Sequence, residues 1–243
     1  MRWRDASSPA RSRSPHERRS SVGARLKRSN IGAVRGKDYN STVPLRGPRS
    51  SLQIPTDPRR HPMPANAIRI IGGRWRGRKL RFPQAPALRP TPDRVRETLF
   101  NWLGQDLTGL ATLDPFAGSG ALSFEALSRG ATLAVAVDRD PKLVHALEVT
   151  AAMLDTRALE THRGDARAFL ARDARSYDVV FLDPPFGDDS WSWLLPAAAA
   201  RLARTGRLYA EAPFRIEAPE GLTLLRRDKA GQVHYHLLRR ADE

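Results

Sequence analysis

From residue 110 to residue 240, short apolar runs alternate with longer stretches in which apolar positions recur every three or four residues. The runs predict strands, the stretches predict helices, and the alternation predicts an open α/β sheet. Leu110 to Asp114 forms the opening strand, a turn follows through Pro115 and Phe116, and residues 119–130 keep helical spacing. Leu133 to Asp138 is a second strand, after which Pro141 opens a helix with Leu143, Val144, Leu147 and Met153 in phase. A third strand over Leu159 to Arg163 ends at Gly164-Asp165-Ala166, and a fourth, from Tyr177 to Leu182, ends at Asp183-Pro184-Pro185-Phe186. Residues 188–205 read as helical, with Gly206 as C-cap, before a fifth strand at Leu208 to Ala212. Leu222 to Leu225 and Val233 to Leu238 close the chain as an antiparallel hairpin turning near Gly231.

Two elements precede this array. Alternation around Gly72-Gly73 and Gly77 predicts a hairpin over residues 68–83. Thr91 as N-cap and Pro92 in the first turn predict a leading helix over residues 91–103, with Val95, Leu99, Trp102 and Leu103 on its apolar face.

The opening strand-loop-helix unit carries the first chemistry. Asp114, Phe116, Ala117, Gly118, Ser119 and Gly120 make a short loop whose glycines tolerate φ > 0 and let a ligand approach the backbone beside a helix N-terminus. The dinucleotide pattern G-x-G-x-x-G is incomplete, since Ser123 stands at its third glycine. Asp114 would repel a pyrophosphate but suits a ligand with ammonium and sulfonium charges, such as S-adenosylmethionine. The plainer reading is a glycine turn that only closes the strand-helix unit. Asp138, at the end of the second strand, is placed to accept from both ribose hydroxyls, with Arg139 following it, and Asp165 with Ala166 stands where an adenine amine could be met.

In a sheet whose order reverses beside its first strand, the fourth strand neighbours the first, so Asp183 and Asp114 share one crevice. The run Asp183-Pro184-Pro185-Phe186 offers a carboxylate, a carbonyl fixed by two prolines, and an aromatic ring. Together these can hold both hydrogens of an exocyclic amine, stack on its base, and aim the nitrogen at a methyl donor. Two prolines ending a strand are the plainer alternative.

Charge changes the picture at the front of the chain. Of the net +15, residues 1–62 carry +11, and they are rich in Arg, Ser and Pro, which predicts disorder. A nucleic-acid-binding tail, a transit peptide and a misplaced start are the competing explanations; Met63, just ahead of the first patterned segment, favours the last. The domain of residues 63–243 is only mildly basic, yet Arg74, Arg76, Arg78, Lys79 and Arg81 crowd around Trp75. Cations for phosphates and an aromatic for a base make this hairpin a nucleic-acid grip, against the alternative of an ordinary charged edge. Arg94 and Arg96 lie off the apolar face of the leading helix and face either nucleic acid or the cofactor's carboxylate, unless they pair with Asp93 or Glu97. The absence of cysteine rules out disulfides and thiolate-bound metal, the six histidines lack metal-ligand spacing, and no catalytic metal is expected. No apolar run approaches the ~20 residues of a membrane span. A cytoplasmic monomer is expected.

Ile68 to Leu80, Arg89 to Asn101, Asp114 to Gly120 and Asp183 to Phe186, in this order, resemble the bacterial small-subunit ribosomal RNA guanine-N2 methyltransferases. The similarity runs from about Ile68 to Arg239. It implies a Rossmann-like seven-stranded methyltransferase sheet, S-adenosylmethionine as donor, and guanine N2 of 16S rRNA in the small ribosomal subunit or its assembly intermediate as acceptor. By position, residues 114–120, Asp138 and Asp165 would hold the cofactor, Asp183 to Phe186 the flipped base, and Arg74 to Arg81 the rRNA. An N6-adenine methyltransferase on DNA or RNA, and a catalytically idle ribosome-assembly factor, are the rival readings.

Overall fold

The computed structural model describes residues 66–83, 91–185 and 190–241. The extension of residues 1–62 and Phe186 lie outside the described residues. Nine strands and five helices run in the order β1 (Ala67–Arg69), β2 (Lys79–Arg81), α1 (Asp93–Leu103), β3 (Ala111–Asp114), α2 (Ala121–Ser128), β4 (Leu133–Asp138), α3 (Pro141–Met153), β5 (Leu159–Arg163), α4 (Ala166–Arg172), β6 (Tyr177–Leu182), α5 (Trp191–Ala199), β7 (Leu202–Ala212), β8 (Leu222–Ala230) and β9 (Val233–Arg240). Seven of the strands form one sheet in the order β5-β4-β3-β6-β7-β9-β8, parallel from β5 to β7 and antiparallel where β9 joins β7 and β8.

The order reverses between β3 and β6, which places their carboxyl ends side by side and opens a crevice there. Both faces of the sheet are covered, which is why its central strands read as unbroken apolar runs. One face packs Phe181, Tyr209 and Val179 against α1, α2 and α3; the other packs Leu113, Val180, Leu182 and Leu208 against α4 and α5.

Several boundaries differ from the expectation. Helix α1 starts at Asp93, with Pro92 rather than Thr91 in the capping position. Helix α5 stops at Ala199, and Leu202, assigned to it by helical spacing, instead opens β7 and pairs with Tyr177. A register shift between Tyr177 and Val179 carries the extra residues, so Gly206 lies within the strand. Strands β8 and β9 are also longer than their apolar centres, because the polar residues Arg226 to Lys229 continue the ladder, with Asp228 accepting from Tyr235 across it.

The hairpin of β1 and β2 forms its own two-stranded sheet and lies on α2. Glu125, fully buried, accepts from the amides of Ile71 at 2.8 Å and Gly72 at 2.7 Å. Ser128 accepts from the amide of Trp75 at 2.9 Å, while its carbonyl accepts from that of Arg74 at 2.7 Å. The approach requires glycine at residue 73, where φ is +71° and a Cβ would stand 1.9 Å from the Ser128 carbonyl oxygen. Two arginines neutralise Glu125. Arg129 meets it at 2.8 Å and Arg96 at 3.5 Å, and Arg96 also donates to the carbonyls of Arg69 and Thr91.

Breaking this clamp leaves the buried Arg129 guanidinium without an anion and Arg96 with Asp93 alone. Glu125→Ala is therefore expected to cost about 3–5 kcal/mol of stability, measured by urea unfolding; a loss below about 1 kcal/mol would show that the clamp is dispensable.

Candidate active site

The carboxyl ends of β3, β6 and β7 each carry an acid: Asp114, Asp183 and Glu211. Phe181 pairs with Tyr209 and Leu182 with Ala210, so Asp183 and Glu211 leave neighbouring strands at one level and on the face toward α1 and α2. Asp114 shares that face and accepts from Ser123 of α2 at 3.0 Å. Asp183 keeps part of its surface open, whereas Asp114 and Glu211 are buried. Among the described residues no Lys or Arg forms an ion pair with any of the three.

Buried carboxylates without cations hold their protons tightly. Burial pushes the Asp114 carboxyl up to about 7, against hydrogen bonds from Ser123 and the Phe116 amide. Burial, then the charges of Glu211 and Asp114, hold Asp183 well above the usual carboxylate range. Glu211 is raised by burial too, against hydrogen bonds from Tyr209 and Thr91. The Thr91 hydroxyl lies 3.4 Å from Asp183 Oδ2, so the residue expected to cap α1 reaches into the crevice instead.

The glycine loop bridges β3 and α2. Gly118 and Gly120 both have positive φ, +52° and +74°. At Gly120 the space of a Cβ is filled by Leu147 and Phe124, so this glycine serves internal packing rather than ligand approach. Asp138 accepts from the amide of Gly118 at 2.9 Å through Oδ2 and from that of Asp140 at 2.8 Å through Oδ1. The carboxylate is thereby fixed, and each oxygen retains a second lone pair for a hydroxyl donor. Ala117 and Ser119 are buried in the loop, Phe116 is half-buried, and Arg139 is exposed beside Asp138. Asp165 caps α4 by accepting from the amide of Ala168 at 3.1 Å, with Ala166 buried behind it. Pro184 is buried and Pro185 exposed.

The structure corrects two of the nucleic-acid residues. Trp75 is 9% exposed and packs into the core beneath Arg74, whose guanidinium lies 4.1 Å from the ring centroid. It is an anchor of the hairpin, not a platform for a base, because Ser128 draws its amide inward. Arg96 is fully buried in the Glu125 clamp and also pairs with Asp93, so it faces neither nucleic acid nor cofactor. Arg74, Arg76, Arg78, Lys79, Arg81 and Arg94 remain exposed. Glu211 went unread, although a lone acid in the apolar strand Leu208 to Ala212 is the same signal that Asp114 and Asp183 give.

A switch-point crevice lined by acids with no paired cation among the described residues, on a seven-stranded sheet with this strand order, is the frame of a Rossmann-like methyltransferase. Residues 68–239 match the family model described as Conserved hypothetical protein 95. The Escherichia coli (strain K12) protein named ribosomal RNA small subunit methyltransferase D is 42% identical over 182 residues, covering 71% of this chain and 90% of that one. Its namesake from Haemophilus influenzae is 38% identical over 182 residues, covering 70% and 92%. The solved structure of the Escherichia coli protein yhhF superposes with a TM-score of 0.66 at 40% identity, covering 73% of this chain and 99% of that one. The chain belongs to this family of ribosomal RNA small subunit methyltransferases.

The raised carboxyls have a measurable consequence. Because the folded Asp114 binds its proton more tightly than an unfolded aspartate, stability falls as pH rises from about 4 to about 7, the interval between the two pKa values. Asp114→Asn is expected to be more stable than the parent at pH 8, by on the order of 4 kcal/mol, with the gain shrinking toward pH 4. Thermal melts at the two pH values check it; an equal effect at both would show that Asp114 is not held neutral by burial.

Proposed function

We propose that this chain transfers the methyl group of S-adenosylmethionine to the exocyclic N2 of a guanine in 16S rRNA, within the small ribosomal subunit or its assembly intermediate. The observation that carries the reading is the crevice where Asp114 and Asp183 meet, rich in carboxylate and without a paired cation among the described residues. Such a pocket suits a cationic cofactor beside an amine and opposes a phosphate. The names of the relatives, ribosomal RNA small subunit methyltransferase D, support the substrate class.

S-adenosylmethionine supplies a methyl carbon activated by its sulfonium. Asp138, fixed by two amides, would accept from the ribose, residues 116–120 would line the loop side, Asp114 would face the cationic end, and Asp165 with Ala166 would border the adenine. Asp183 would accept one hydrogen of the guanine amine and the carbonyl of the Pro184-Pro185 unit the other, which orients the nitrogen lone pair toward the methyl carbon. Asp183, as the acceptor of the amine's hydrogen bond, would take the proton the amine loses when the methyl group leaves the sulfonium, which becomes a neutral thioether. Phe186 would stack on the flipped base. The exposed cations of the hairpin and Arg94 would meet rRNA phosphates, a contact that weakens with salt.

Methyl transfer from labelled S-adenosylmethionine to small subunits lacking the modification, followed by nucleoside analysis, tests the whole reading. N2-methylguanosine in 16S rRNA is the expected product; methyladenosine would overturn the acceptor, and tight subunit binding without incorporation would favour an assembly factor. Asp183→Ala is expected to lower methyl transfer by about 100-fold or more while changing subunit affinity little. Equal losses in both would show that Asp183 only supports the fold.

A further inference from the structure

Glu211 is not used in the mechanism above, yet its carboxylate stands beside that of Asp183. The two residues follow the Leu182–Ala210 pair on neighbouring parallel strands, whose axes are about 4.8 Å apart. Glu211 is only 4% exposed. Tyr209 donates to its Oε1 at 2.7 Å, and Thr91, 3.4 Å from Asp183 Oδ2, also reaches Glu211. A threonine hydroxyl has one hydrogen to give, so it satisfies one carboxylate at a time. Two adjacent acids with one shared hydroxyl and no paired cation among the described residues are short of donors.

The missing donors define what completes the pair. A guanine presents two kinds of donor on adjacent atoms of one edge, the N1–H and the N2 amine. Resting on the guanine-N2 reading, we propose that Glu211 accepts the N1–H of the target base while Asp183 holds its amine, and that Glu211 thereby selects guanine over bases whose N1 is an acceptor. Adenine would turn its N1 lone pair toward the Glu211 carboxylate, leaving a buried anion facing a lone pair. A site built around a hydrogen-bond donor rejects an analogue lacking it far more strongly than a pocket rejects a missing methyl group. Burial raises both carboxyls, and the donor hydrogens of a bound guanine favour their charged forms.

The test uses small subunits assembled with guanine or with 2-aminopurine at the position the parent enzyme methylates. 2-Aminopurine keeps the same N2 amine but has an N1 acceptor in place of the N1–H. The parent protein is expected to methylate guanine about 100-fold or more faster than 2-aminopurine. Glu211→Gln, which keeps the size of the side chain and gives it an amide donor, should lower that ratio at least tenfold, by slowing guanine and accepting 2-aminopurine. Similar parent rates on the two bases, or an unchanged ratio in Glu211→Gln, would overturn the role of Glu211. The comparison on the parent protein needs no variant, so poor folding of Glu211→Gln would not leave the question open. Methyladenosine as the parent's product would instead defeat the underlying guanine reading, and nucleoside analysis distinguishes the two failures.

Discussion

One buried carboxylate holds together the parts from which the crevice is made. Glu125 sits on α2, whose N-terminus is the glycine loop, and it takes hydrogen bonds from the backbone of the hairpin and charge from Arg96 and Arg129. Arg96 in turn fixes the carbonyl of Thr91, whose hydroxyl stands next to Asp183. The hairpin, the start of α1 and the loop side of the crevice are thus tied to one anion with two cations. Replacing such a set by apolar side chains would not necessarily weaken the fold, but removing one member would. Here the ion set specifies where the hairpin stands, and through it where the exposed cations of Arg74 to Arg81 point relative to α2.

The crevice is organised by the opposite principle. Asp114, Asp183 and Glu211 sit at the ends of adjacent strands without a paired cation among the described residues, and burial raises the proton affinity of each. Such groups oppose stability at neutral pH and persist where a ligand completes them. A cationic methyl donor answers Asp114, and donor hydrogens on a base answer Asp183 and Glu211. Ser123, Tyr209 and Thr91 orient the three carboxylates without neutralising them.

Much of this was legible in the order of residues. Strands of unbroken apolar character, each ending in an acid, located β3, β4 and β6 and the placement of Asp114 beside Asp183, because a parallel sheet with a single reversal leaves few arrangements. What was not legible depends on distant partners. Arg96 and Trp75 look like surface groups in a basic segment, and only Glu125 and Ser128 on another element explain why they are buried. Leu202 fits a helix by spacing, but the open edge of β6 at Tyr177 claims it for β7. Glu211 was hidden by its surroundings: in an apolar strand a lone acid is easily read as the solvent face, and its partner Asp183 is on a different strand.

A crystal structure with S-adenosylhomocysteine and a guanine-bearing fragment of the small-subunit rRNA tests the account at its centre. It should show the guanine N2 within hydrogen-bonding distance of Asp183, the cofactor ribose on Asp138, and the cofactor sulfur in line with the amine. A base bound away from the β3–β6 crevice, or a cofactor seated elsewhere than the glycine loop, would contradict it.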